Sequence, residues 1–161
     1  MLRVKIMPTV NTPINLKELY EIDDYLWLEE TIKLVREKRF EELDLENLLE
    51  ELEDLSATQK RRVTSLLIQI IIHLLLYQYW ESERPYNGNH WRGEIRCFRD
   101  QLNDGLSKTL KNLLADNLDS LYQRSLGITR EKSGLKNLPQ VNPYTLEQLL
   151  DIDWFPEVEN N

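Results

Sequence analysis

The stretch Thr58–Trp80, TQKRRVTSLLIQIIIHLLLYQYW, is the only long apolar run in the chain. One such run beside many shorter apolar stripes predicts a central helix over residues 58–80 with other helices laid around it. Ser56 followed by Gln59 has the form of a capping box, which places the start of that helix. From Val63 to Trp80 nearly every direction round the helix carries an apolar group, the pattern of a buried rather than an amphipathic helix. Its polar residues are ordered. Ser65, Gln69, His73 and Tyr77 recur every fourth residue, so they neighbour one another along a seam. The 18 residues from Val63 to Trp80 reach the short edge of the membrane-spanning range, but they include Thr64, Ser65, Gln69, His73 and Gln78. A core helix is expected, with no membrane.

The remaining chain fits one all-α domain. It has 161 residues with 5 Gly and 6 Pro, and Leu, Glu, Lys and Arg are plentiful. The expected fold is a compact single-domain helical bundle of about five main helices, by helical periodicity. It covers residues 15–161, with a short C-terminal helix and a tail folding back. Residues 1–14 read as an arm, either flexible or a short strand, because Leu2, Val4 and Ile6 alternate with Arg3 and Lys5 before Pro8. No apolar h-region follows Arg3 and Lys5, so no signal peptide is expected. The single cysteine, Cys97, makes no intramolecular disulfide and no cysteine-based zinc site, which suits a reducing cytoplasm.

Periodicity places the elements in order. Asn15–Glu21 forms a short turn of helix, and Asp23 or Asp24 caps a helix to Arg39 with an apolar stripe of Tyr25, Leu28, Ile32 and Val35. Trp27 lies off that stripe and is expected to cover a neighbouring segment. Asp44 caps a second helix whose stripe is Leu45, Leu48, Leu49, Leu52 and Leu55. Glu50 and Asp54 point away from that stripe, while Glu46, Glu51 and Glu53 lie on its borders. After the central helix, Pro85 and Asn87-Gly88 suggest a loop. Asn89 then caps a helix to Asn103, with Trp91, Ile95, Phe98 and Leu102 inside and Arg92, Arg96 and Arg99 on one border. Ser107 caps one long helix to Lys132, and Gly134 terminates it. Thr145 and Gln148 form a second capping box before the aromatic tail Trp154-Phe155.

The runs LYEIDDYLWLEETIKLVREKRFEELDLENLLEELEDL, HLLLYQYW, HWRGEIRCFRDQL and NPYTLEQLLDIDWFP, in this order from Leu19 to Pro156, resemble a family of small bacterial all-helical proteins. That family is catalogued as domain of unknown function twenty-nine. The resemblance implies a compact helical bundle and no activity, so no functional residue is carried over from it.

The net charge of −8 is uneven. Glu41 to Gln59 holds eight acids and no base, and the rest of the chain sums to zero. Nucleic-acid binding, which needs a surplus of Lys and Arg, is not expected. The strongest candidate for chemistry is a cluster of His73 with Glu51 and Arg96 or Arg92 from neighbouring helices. It reads either as a network that fixes helix register or as a general base with its partners. No metal or other cofactor is expected, since neither His73 nor His90 follows a Glu by three residues. The arginine stripe reads as a partner of Asp44 and Glu51, or as a binder of phosphate or carboxylate groups. Two function classes follow. One is a protein-binding or regulatory module with an acidic face, with a protein partner or self-association. The other is a small hydrolase-like enzyme using the His-Glu-Arg cluster, with or without a metal.

Overall fold

The computed structural model describes residues 15–158, so the N-terminal arm lies outside the described residues. Among them are seven α-helices: α1 (Leu16–Ile22), α2 (Asp24–Arg36), α3 (Leu45–Tyr79), α4 (Arg84–Asn103), α5 (Lys108–Asp116), α6 (Leu118–Ser133) and α7 (Leu146–Leu150). The chain divides into two compact units between Ser56 and Ala57, inside α3.

α3 corrects the expectation of two helices separated at Ser56. It runs 35 residues without a break and takes in both the acidic segment and the central run. A serine caps only where the chain leaves helical dihedrals. Nothing forces that here, because no Gly or Pro lies between Leu45 and Tyr79, and Ala57, Gln59, Lys60, Arg61 and Arg62 are good helix formers. The start signal belongs to Asp44 instead. Its carboxylate accepts from the Asn47 backbone N–H at 3.4 Å and from the Asn47 side-chain amide at 2.6 Å. At the far end the Arg84 side chain donates to the carbonyls of Tyr77 and Gln78, satisfying acceptors that a helix terminus leaves open.

In the first unit Asn15 caps α1 and Asp23 caps α2. α2 stops at Arg36, and Lys38 turns the chain at φ 59° before a 3-10 turn at Phe40–Glu42. The buried face of α2 is the reverse of the predicted one. Trp27, Thr31 and Leu34 are buried, while Tyr25, Leu28, Ile32 and Val35 stay partly exposed. Both sets have helical spacing. The set with the indole wins, because Trp27 offers the largest apolar area and meets Tyr20 of α1 edge to face at 5.0 Å. α1 also reaches the acidic start of α3, with the Lys17 ammonium 2.9 Å from Glu46 and the Tyr20 hydroxyl donating to Glu51 at 2.8 Å.

The second unit has the predicted centre. Val63, Leu67, Ile68, Ile70, Ile71, Ile72, Leu74, Leu75, Leu76 and Tyr77 of α3 are all buried. They join Trp91, Ile95 and Leu102 of α4, Leu114 of α5, Leu121, Tyr122 and Leu126 of α6, and Leu146 and Leu149 of α7 in one core. Each such aliphatic side chain contributes roughly 2 kcal/mol by leaving water. α3 is the one described helix long and apolar enough to cross a membrane, and 56% of its most apolar window is buried in the protein, as in a core helix.

Two boundaries differ from the sequence reading. α4 begins at Arg84 rather than after Asn89, with Pro85 in its first turn, where a missing N–H costs nothing. Asn87-Gly88 is therefore helical, and Gly88 is buried where a Cβ would meet the Arg84 side chain at 3.2 Å. The single helix expected from Ser107 is two, broken at Asn117, whose side-chain amide turns back to the Leu113 carbonyl. Ser107 caps α5 and Gly134 closes α6 at φ 69°, both as expected. The capping box of Thr145 and Gln148 is present in α7.

Candidate functional site

The predicted His-Glu-Arg cluster draws on both units, with Glu51 in the first and His73, Arg92 and Arg96 in the second. Glu51 and His73 both belong to α3 rather than to two separate helices. Glu51 is exposed and holds the Tyr20 hydroxyl, pushing that phenol up to about 12. The expectation that it would face a neighbouring helix carrying His73 depended on a chain break that α3 lacks.

His73 sits half-buried in the second unit. Its Nδ1–H donates to the Gln69 carbonyl at 2.7 Å, one turn back, and its ring tilts against Phe98 at 5.3 Å. A carbonyl only accepts, so Nδ1 carries the proton and Nε2 the lone pair in the neutral ring. Burial lowers its pKa, the Gln69 bond opposes that, and Lys132 lowers it further while Glu94 raises it. The ring is thus neutral at pH 7 and accepts through one nitrogen. The two described surface depressions lie on single helices: one follows α6 around Gly127 and Ile128, the other follows α2 into Glu37, and neither borders His73. No group of three His, Cys, Asp or Glu side chains among the described residues is arranged to hold a metal ion.

The arginine stripe of α4 meets the last residues of its own unit. Arg99 is fully buried, and its Nε, Nη1 and Nη2 donate to the carbonyls of Leu149, Trp154 and Gln148 at 2.9, 2.6 and 2.9 Å. Burial lowers its pKa to about 10, which leaves the guanidinium charged at neutral pH. Arg92 lies over the Phe155 ring at 3.7 Å and donates to the Tyr77 hydroxyl at 3.2 Å. Arg96 reaches Asp153 at 3.6 Å. The tail folds back as expected, with Trp154 against Tyr144 and Phe155 against Tyr77. These contacts make the stripe a clasp for residues 148–155. Sequence reasoning missed this partner, although Arg99 stands nearest the apolar stripe of its helix and so was the arginine most bound to be buried.

The surface left over is in the first unit. Leu45, Leu49, Leu52 and Leu55 follow one face of α3 and are 64, 57, 56 and 58% exposed. The sequence reading expected them inside. Glu46 and Glu53 border them on one side and Glu51 on the other, by the 100° step of the helix. Residues 15–56 carry fifteen acids and five bases, a net charge of −10, so the rest of the chain is +2. Three of the five bases are engaged within the unit: Lys17 with Glu46, Lys33 with Glu30, and Arg39 with Glu37 and Glu42. No base stands three or four residues from Glu50, Glu53 or Asp54, the positions where a helix pairs its charges. This part of the chain therefore offers a bare leucine row in a strongly negative field.

Comparison with known proteins returns one family model, described as a domain of unknown function, DUF29, which matches residues 19–155 and so spans both units. No curated protein and no solved structure matches the chain.

Proposed function

The chain belongs to the DUF29 family, which carries no assigned activity, and we propose that this member is a protein-binding module working through the acidic face of residues 15–56. One observation carries the reading: a leucine row more than half exposed on a helix whose first fifteen residues contain carboxylates and no base. Monomeric proteins rarely leave a contiguous apolar patch without a use for it. A field of −10 steers a basic partner toward it and disfavours anionic ones. The single cysteine and the absence of any basic surplus fit a protein of a reducing cytoplasm that acts on other proteins. The enzymatic alternative rests on His73 with a carboxylate and an arginine, and no observation favours it.

The test is capture by tagged protein at low and moderate salt, wild type against the double variant Glu50→Lys, Asp54→Lys. Both positions are exposed, so the fold tolerates the change. Specific partners retained by the wild type, released by salt and lost by the variant are the expected result. The same partners held equally by the variant contradict the acidic face.

A further inference from the structure

The geometry points to a basic amphipathic helix, supplied by a different protein, as the occupant of the leucine row Leu45-Leu49-Leu52-Leu55. This rests on the binding reading above and names the chemistry of the partner.

Shape comes first. The four leucines recur at helical spacing along three turns of α3, roughly 15 Å of rise, and α3 is a continuous helix beyond them. A straight helical face with apolar residues at such intervals accepts another helix by side-chain interdigitation, whereas an extended peptide needs a sheet edge. The described residues contain no strand to offer one.

Charge then selects among helices. The borders of the row are Glu46 and Glu53 on one side and Glu51 on the other, with Glu50 and Asp54 behind. From Glu41 to Gln59 there are eight acids and no base. A second copy laid with its leucine row directly on this one would set carboxylate against carboxylate, parallel or antiparallel. An acidic membrane surface would be repelled in the same way. A helix with leucine-like residues on one side and Lys or Arg flanking them meets apolar side chains with apolar side chains and carboxylates with cations. That combination satisfies both parts of the surface.

The experiment uses the full chain and a labelled helical peptide of about three heptads, leucine at the a and d positions and lysine at most others. A scrambled peptide of identical composition, which forms no stripe, is the control. Binding is read by fluorescence anisotropy, with sedimentation of the protein alone. The variant Leu49→Gln, Leu52→Gln removes the apolar row without changing charge, and its helical content is checked by circular dichroism. The expected result is binding of the striped peptide at least tenfold tighter than the scrambled one, weakened by salt, with the difference abolished in the double variant. Equal binding of both peptides overturns the docked helix and leaves the acidic-face reading standing. Binding of neither overturns both. A dimer of the wild type that the double variant loses shows a second copy on the row and overturns the inference.

Discussion

Arg99 ties the end of the chain down through three carbonyl oxygens, and a planar fork is what that task requires. Lysine would keep the charge but could not reach three acceptors in fixed directions. Arg99→Lys is expected to cost about 2 kcal/mol in urea unfolding, because buried carbonyls lose their donors. Hydrogen exchange should quicken around residues 148–155 in the same variant. His73 gives a pH signature instead. Burial holds its pKa below the ordinary 6.5, so just below pH 6.5 the unfolded chain binds more protons than the folded one. Stability therefore rises with pH through that window and falls as acid protonates the ring. His73→Gln should flatten the slope of melting temperature just below pH 6.5 while leaving the carboxylate-driven part of the acid profile. An unchanged slope would mean that the ring is not desolvated. Neither role was visible in the sequence, which supplied the residue types but not the direction in which each points.

At the scale of the element, α3 decides most of what differs from expectation. The change from acidic to apolar residues near Ser56 looks like a boundary between helices, and a capping pattern happens to fall on it. Composition changed there but the backbone had no reason to. Ser56→Ala separates the two cases cleanly. In a continuous helix alanine replaces a weaker helix former, and stability should rise by a few tenths of a kcal/mol, roughly 0.4. At a true N-cap the same change would cost about 1 kcal/mol. The second unit was more legible. Runs such as Leu66–Leu76 are apolar in all directions and have only one way to leave water, and the caps at Ser107, Gly134 and Thr145 act through local chemistry that a sequence displays directly. On α2 two stripes competed, and the one carrying Trp27 was buried.

At the scale of the molecule the two units differ in charge and in burial. Residues 57–161 carry a dense core and a net charge of zero, while residues 15–56 carry −10 and few buried side chains, Trp27, Thr31, Leu34 and Asp44 among them. Helical periodicity could not reveal this, because a stripe at the right spacing looks the same whether its partner is inside the chain or outside it. The acid surplus around the leucines is the sequence feature on which the proposed basic partner rests. What separates the possibilities most directly is the unfolding free energy of the Leu49→Gln, Leu52→Gln variant in urea. If the row is bare in the free protein, the pair should change stability by less than about 1 kcal/mol, as surface substitutions do. A loss of about 4 kcal/mol or more, the cost of opening a packed interior at two leucines, would show that the row already has its partner within the chain and would remove the docking surface altogether.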